Sequence, residues 1–206
     1  MKKFAVAIAM LLSTPTYAGL NGTELSLQVL FQSTPSSPPI FTSFERTVTV
    51  GPAIEYPDVS SLFNPGSGVP AGYGLVDVAI DVGNDYIEID FDNAVSNRFS
   101  PAFENTYIFR FDSTAPVSIT GATLDSNVTS LGLDASDVRF EGNRLFINVE
   151  SVPFSPSSFA RVNLQVEGGP ALPVPEPAPY AMLLAGALLM GFIELKRGRR
   201  DLLAGI

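Results

Sequence analysis

The sequence predicts an all-β fold, an antiparallel β-sandwich of jelly-roll or immunoglobulin-like type over residues 19–169, set between two apolar ends. Three observations predict it. Short runs rich in Val, Ile, Phe and Tyr alternate with a period of two. Clusters of Gly, Pro, Asn and Ser separate those runs at short intervals. Before residue 170 no stretch carries the 3.6-residue spacing of an amphipathic helix, beyond one turn near Ser130–Ser136.

Taken in order, the chain opens with Lys2 and Lys3, the apolar run Phe4–Leu12, and a polar stretch ending Thr16-Tyr17-Ala18. A basic start, an apolar middle and small residues at the cleavage positions make a secretory signal. Export through the Sec machinery and cleavage by signal peptidase after Ala18 are the expectation, because the apolar run is too short to cross a bilayer. The strands expected next are Leu25–Val29, Val76–Val82, Tyr86–Phe91, Tyr107–Phe111, Val138–Phe140, Leu145–Val149 and Val162–Val166. Ser33–Pro39 and Asn64–Gly74 read as surface loops.

Two hairpins can be given a register. A two-residue turn at Gly83-Asn84 sets Ile80 opposite Ile87, Val78 opposite Ile89 and Val76 opposite Phe91. A turn at Gly142-Asn143 sets Phe140 opposite Leu145 and Val138 opposite Ile147. Each choice makes one face wholly apolar, so these positions form the expected core. On the other face of the first hairpin, Asp77 falls opposite Asp90 and Ala79 opposite Glu88. Directly opposed like charges are destabilising unless neutralised. Asp77, Glu88 and Asp90 are therefore candidate metal ligands, with calcium the fitting ion because it is hard, oxygen-loving and available outside cells. A solvated acidic face that discourages edge-to-edge pairing is the other reading.

Beyond the β region, residues 170–179 form a Pro-rich linker, residues 180–195 an apolar helix, and residues 196–206 a basic tail. The uncharged part, Tyr180–Ile193, reaches only about 21 Å as a helix, short of a ~30 Å hydrocarbon core. Its all-round apolarity, the aromatic Tyr180 at one edge and the stop-transfer cluster Lys196, Arg197, Arg199 and Arg200 beyond the other favour a single transmembrane helix with a cytoplasmic C-terminus.

Composition removes whole classes of chemistry. The 206 residues include no Cys and no His, which excludes disulfides, thiolate or imidazole metal sites and the usual Ser-His and Cys-His nucleophile pairs. The ends carry net positive charge, so the formal −9 of the whole chain leaves −12 for residues 19–170, with 18 acidic residues, six arginines and no lysine. Nucleic acid is not an expected partner of such a surface.

Val174-Pro175-Glu176-Pro177, a tyrosine three residues on, a short Leu/Ala/Gly-rich helix and a terminal Arg-rich cluster together resemble the C-terminal sorting signal of PEP-CTERM proteins. The resemblance implies export in a Gram-negative bacterium, recognition through Pro175, Glu176 and Pro177, processing by the membrane protease exosortase, and delivery to the cell surface or an exopolysaccharide-rich biofilm matrix. Ala178-Pro179 stands where many members have Ser-Thr, and Asp201–Ile206 extends past the point where many stop.

The expected function is thus that of an exported, non-catalytic surface or matrix protein, with no catalytic residues and no cofactor beyond the candidate calcium. The alternative is a carbohydrate-binding module or a carbohydrate-active enzyme at the cell envelope, since two carboxylates suffice for glycoside hydrolysis. Tyr56, Phe63 and Tyr73, in or beside Gly/Pro-rich loops, are its candidate sugar platforms.

Overall fold

The computed structural model describes residues 19–67, 72–112 and 117–168. The signal segment with Ala18, Pro175-Glu176-Pro177, the apolar helix and the basic cluster lie outside them. Among the described residues no helix is long and apolar enough to cross a membrane.

Twelve strands follow one another in the described residues: β1 (Glu24–Gln32), β2 (Phe41–Thr42), β3 (Arg46–Thr49), β4 (Ala79–Val82), β5 (Tyr86–Asp90), β6 (Asn97–Arg98), β7 (Glu104–Phe111), β8 (Val117–Leu124), β9 (Val138–Glu141), β10 (Arg144–Asn148), β11 (Pro153–Phe154) and β12 (Phe159–Gly168). The remaining regular structure is short 3-10 turns, one of them at Ala135–Asp137. All strand pairings are antiparallel. One sheet runs β1-β7-β10-β9, with β2 and β3 pairing successive stretches of the outer side of β1; a second runs β4-β5-β12-β8; β6 and β11 form a small separate ladder.

Alternation decides which side chains meet. In the first sheet Leu25, Leu27 and Val29 stand opposite Phe111, Phe109 and Tyr107, and Leu145 and Ile147 continue the rows on β10. In the second, Ile80 and Val82 stand opposite Ile89 and Ile87, which in turn face Ala160 and Val162. All of these are buried and belong to one apolar core that both sheets share, the arrangement expected of an all-β sandwich.

The β9–β10 hairpin has the expected register, Phe140 opposite Leu145 and Val138 opposite Ile147. Gly142 takes φ +64°, a left-handed conformation that glycine adopts without a Cβ penalty. The β4–β5 hairpin corrects its expectation. Its turn is Asn84-Asp85, closed by Gly83 N–H donating to Tyr86 O at 2.9 Å, so Val82 faces Ile87, Ile80 faces Ile89, Asp81 faces Glu88 and Ala79 faces Asp90. Neither turn residue has positive φ, so glycine is not needed inside the turn. Gly83 is needed for room: a Cβ there would come within 2.3 Å of the Tyr86 ring. Moving the turn by one residue moves the register by two, which leaves every side chain on its original face but changes its partners.

β2, β3, β6, β8 and β11 are strands the sequence reading misses. β8, Val-Ser-Ile-Thr-Gly-Ala-Thr-Leu, is half-exposed along its length and interrupted by Gly121, over which the Gln165 side chain lies. The register of β12 against it shifts between Gln165 and Val166, a local irregularity at the sheet edge.

Hydrogen bonds also define two poles. Leu20 N–H donates to Asn84 O at 2.9 Å and Leu164 N–H to Asp85 O at 2.7 Å, so the start of the domain, the β4–β5 turn and the outgoing half of β12 share one pole. At the other pole Phe91, Phe99 and Phe154 form an aromatic cluster with centroid separations of 4.7–6.2 Å.

Candidate functional site

The excursion from β3 to β4 begins as part of the scaffold. Tyr56 exchanges backbone hydrogen bonds with Ile80, 3.0 Å from its N–H and 2.8 Å to its carbonyl, so this segment extends the free side of β4. The pairing drives the ring inward, where it is 1% exposed and its single hydroxyl proton is shared between Leu25 O at 3.1 Å and Arg46 O at 3.0 Å. Burial accordingly pushes its phenol well above the ordinary tyrosine range. Glu55 beside it is buried, accepting from Gly51 N–H and from Val82 N–H, each at 2.8 Å. Tyr56 is therefore a tie between the two sheets and has no face to offer a sugar, which corrects its place among the candidate platforms.

The same excursion ends as the wall of a cavity. At the aromatic pole a volume of about 340 Å³ opens between the end of β1, β2, the start of β7 and the loop that includes residues 72–76. That size lies near the lower end of the ~300–1,000 Å³ of small-molecule sites. Phe63 stacks on Phe41 with centroids 5.4 Å apart and planes 20° apart. Tyr73 meets Phe31 edge-on at 5.4 Å and stays 42% exposed. Both thus line one cavity, with Phe99, Phe154 and Tyr107 behind them.

Its polar groups come from the β6 and β7 approaches: Asn97, Arg98, Ser100 and Asn105. The Asn105 amide donates to Ser100 O at 3.4 Å, and its backbone N–H donates to Asn148 Oδ1 at 3.0 Å. The Arg98 guanidinium donates to the carbonyl of Ser151, which takes left-handed φ +58° in the turn that follows β10. No Asp or Glu is among the described lining residues. The arrangement can stack a ring and orient its polar substituents, while supplying no carboxylate pair for general acid–base chemistry.

No family model, no curated protein and no solved structure matches this chain. The reading of the site therefore rests on its residues.

The structure does not bring Asp77, Glu88 and Asp90 together as the expected register would. Glu88 lies between Asp81 on β4 and Arg161 on β12, and Arg161 donates to its Oε1 through Nε at 2.6 Å and through a second guanidinium nitrogen. The guanidinium also covers the Tyr86 ring, 4.6 Å from its centroid. Asp90 accepts the N–H of Asp92 at 2.9 Å. Asp77 precedes β4 and interacts instead with Asp58, brought beside it by Val59 N–H donating to Val78 O at 3.0 Å. One Asp77 oxygen is out of water without a hydrogen-bond partner although the residue as a whole is half-exposed. That desolvation, with the Asp58 charge, raises its pKa, while the Ser60 hydroxyl, donating to Asp58 Oδ1 at 2.6 Å, lowers that of Asp58. Among the described residues no three acidic side chains converge as a metal cage.

Asn97 and Arg98 on the two-residue strand β6 and Asn105 on β7 escape the sequence reading because nothing in their local pattern marks a site. Arg98 carries the one available signal, an isolated cation in an Asn/Ser/Pro loop of an acidic, lysine-free domain.

Proposed function

We propose that this chain is an exported, non-catalytic surface or matrix protein, sorted through a PEP-CTERM-type C-terminal signal and processed by exosortase at the membrane. The observation that carries the reading is the joint spacing of Pro175-Glu176-Pro177, the apolar helix and the cluster Lys196, Arg197, Arg199 and Arg200. An all-β domain between a secretory signal and that tail supports it, as does an acidic surface suited to solubility outside the cell. In this reading the jelly-roll or immunoglobulin-like sandwich is the cargo, and exopolysaccharide is the partner in the matrix. The test is intact mass and fractionation in the native host, wild type against Glu176→Ala. Loss of both ends and appearance outside the inner membrane in the wild type, with the variant retained there, supports it. Retention of both proteins with intact tails overturns it.

A second reading, a carbohydrate-binding module at the envelope, is favoured by one observation: Phe63 and Tyr73 line the same polar-rimmed cavity. The absence of carboxylates from that described lining favours binding over hydrolysis.

A further inference from the structure

We infer that the cavity at the aromatic pole is a site for an acidic saccharide, a pyranose bearing a carboxylate, with Arg98 as the carboxylate's partner and the Tyr73 and Phe63 rings as its platform. This rests on the carbohydrate-binding reading and gives that reading a ligand class.

Charge carries the first step. Residues 19–170 hold 18 acidic groups, yet none is among the cavity's described lining residues, where the charged side chain is Arg98. Of the other five arginines in residues 19–170, Arg110 pairs with Glu45 at 3.3 Å, Arg139 with Glu104 at 2.9 Å and Arg161 with Glu88, while Arg46 and Arg144, neither of which lines the cavity, have no ion pair among the described residues. Among the described residues Arg98 has no carboxylate within ion-pair distance, and its contact to Ser151 O leaves most of its five donors for a ligand.

The form of the anion follows from the donor set. One planar guanidinium matches one carboxylate in a two-point contact. A phosphate dianion is ordinarily met by several cations, backbone N–H groups or a helix N-terminus, and the described lining residues include a single cation and no helix. The rest of the molecule follows from the walls. A pyranose combines C–H faces, which cover aromatic rings, with a rim of hydroxyls, for which Asn97, Ser100 and Asn105 offer both donors and acceptors. A volume of about 340 Å³ suits a short segment. The acidic remainder of the domain opposes a polyanion at long range, but at physiological salt a Debye length of about 8 Å screens the distant carboxylates.

The test is calorimetric titration of the full-length protein, purified in mild detergent at about 0.15 M salt, with trigalacturonate, maltotriose and glutarate. Trigalacturonate is expected to bind, maltotriose and glutarate to bind at least about tenfold more weakly. Arg98→Gln should weaken trigalacturonate about tenfold or more, Arg98→Lys less, and Tyr73→Ala about tenfold through the lost platform, with melting temperatures held near wild type. Arg144→Gln, an exposed β10 arginine outside the cavity lining, should change nothing. Equal binding of trigalacturonate and maltotriose, with Arg98→Gln silent, overturns the acidic class and leaves the carbohydrate reading standing. Binding of neither sugar up to about 10 mM overturns both. Equal weakening by Arg144→Gln, or glutarate matching trigalacturonate, reduces the effect to general charge attraction and overturns the site. None of these outcomes touches the sorting proposal, which mass and fractionation decide separately.

Discussion

The two halves of the excursion between β3 and β4 put the same kind of residue to opposite use. In the first half Tyr56 satisfies both of its backbone polar groups on Ile80, and its ring and hydroxyl are consumed in joining β4's neighbour to β1 and β3. In the second half Tyr73 touches Phe31 with its edge and leaves much of its surface to solvent. The difference teaches that the fate of a loop aromatic is set by where the backbone beside it finds hydrogen bonds. A segment that docks on a sheet edge alternates like a strand and must turn one side chain into the core. A segment that does not dock is free to present its ring.

The strongest way to break this comparison is to truncate both tyrosines. Tyr56→Ala is expected to cost about 3–5 kcal/mol by leaving a cavity between the sheets, while Tyr73→Ala stays within about 0.5 kcal/mol, as denaturant unfolding would measure. Comparable losses would mean that the second half is as structural as the first. Tyr56→Phe isolates the hydroxyl: loss of its shared hydrogen bond should cost about 1–3 kcal/mol in the same experiment.

A smaller effect is expected at Glu55. Its two oxygens each accept a backbone N–H, so Glu55→Gln replaces one acceptor with a donor aimed at a donor and should cost about 1–2 kcal/mol, seen in the denaturation midpoint. The locked half then loosens without any change in apolar packing.

The smallest change has the opposite sign. Asp77's carboxyl is raised by desolvation and then by Asp58, so the native state holds its proton to higher pH than the unfolded chain does. Between the ordinary carboxylate value near 4 and that raised value the native state binds more protons, and stability declines as pH rises through the window. Asp58, lowered first by the Ser60 hydroxyl, acts in the other direction: its contribution is present above the ordinary value and is lost as pH falls through its native pKa. Asp77→Asn should therefore raise the melting temperature at neutral pH slightly, by less than about 2 °C, and flatten its decline as pH rises above about 4, because the amide carries no charge to desolvate and can donate to Asp58. A fall in melting temperature would show that the Asp77 charge has a partner that stabilises it.

Much of the fold was legible because burial on one face leaves an alternating record. β1, β5, β7, β9, β10 and β12 carry Leu, Ile, Val, Phe or Tyr at alternate positions over most of their length, and the β9–β10 register follows from matching those rows around Gly142. β8 left a weaker record, since an edge strand half-exposed along its length needs no strict alternation. The β4–β5 turn was misplaced by one residue because Gly83 was set inside the turn, whereas it lies just before it, where the Tyr86 ring leaves no room for a Cβ. The cavity was legible only in part: Phe63 and Tyr73 could be named from their loop, whereas Asn97 and Arg98 on β6 and Asn105 on β7 are brought to that loop only by the fold.

By itself, then, the sequence determined the all-β class, the faces of the main strands, the acidic and His- and Cys-free chemistry, and the expectation of sorting at both ends. These are properties of composition and short-range period, which each segment carries alone. Tertiary structure decided which residues stand opposite one another on β4 and β5, that Glu88 is neutralised by Arg161, that Tyr56 is a tie while Tyr73 is a surface, and that one unpaired arginine lines an aromatic cavity. Most of those outcomes depend on hydrogen bonds and packing between segments tens of residues apart, and even within the β4–β5 hairpin a period of two specifies a face without specifying the neighbour across it.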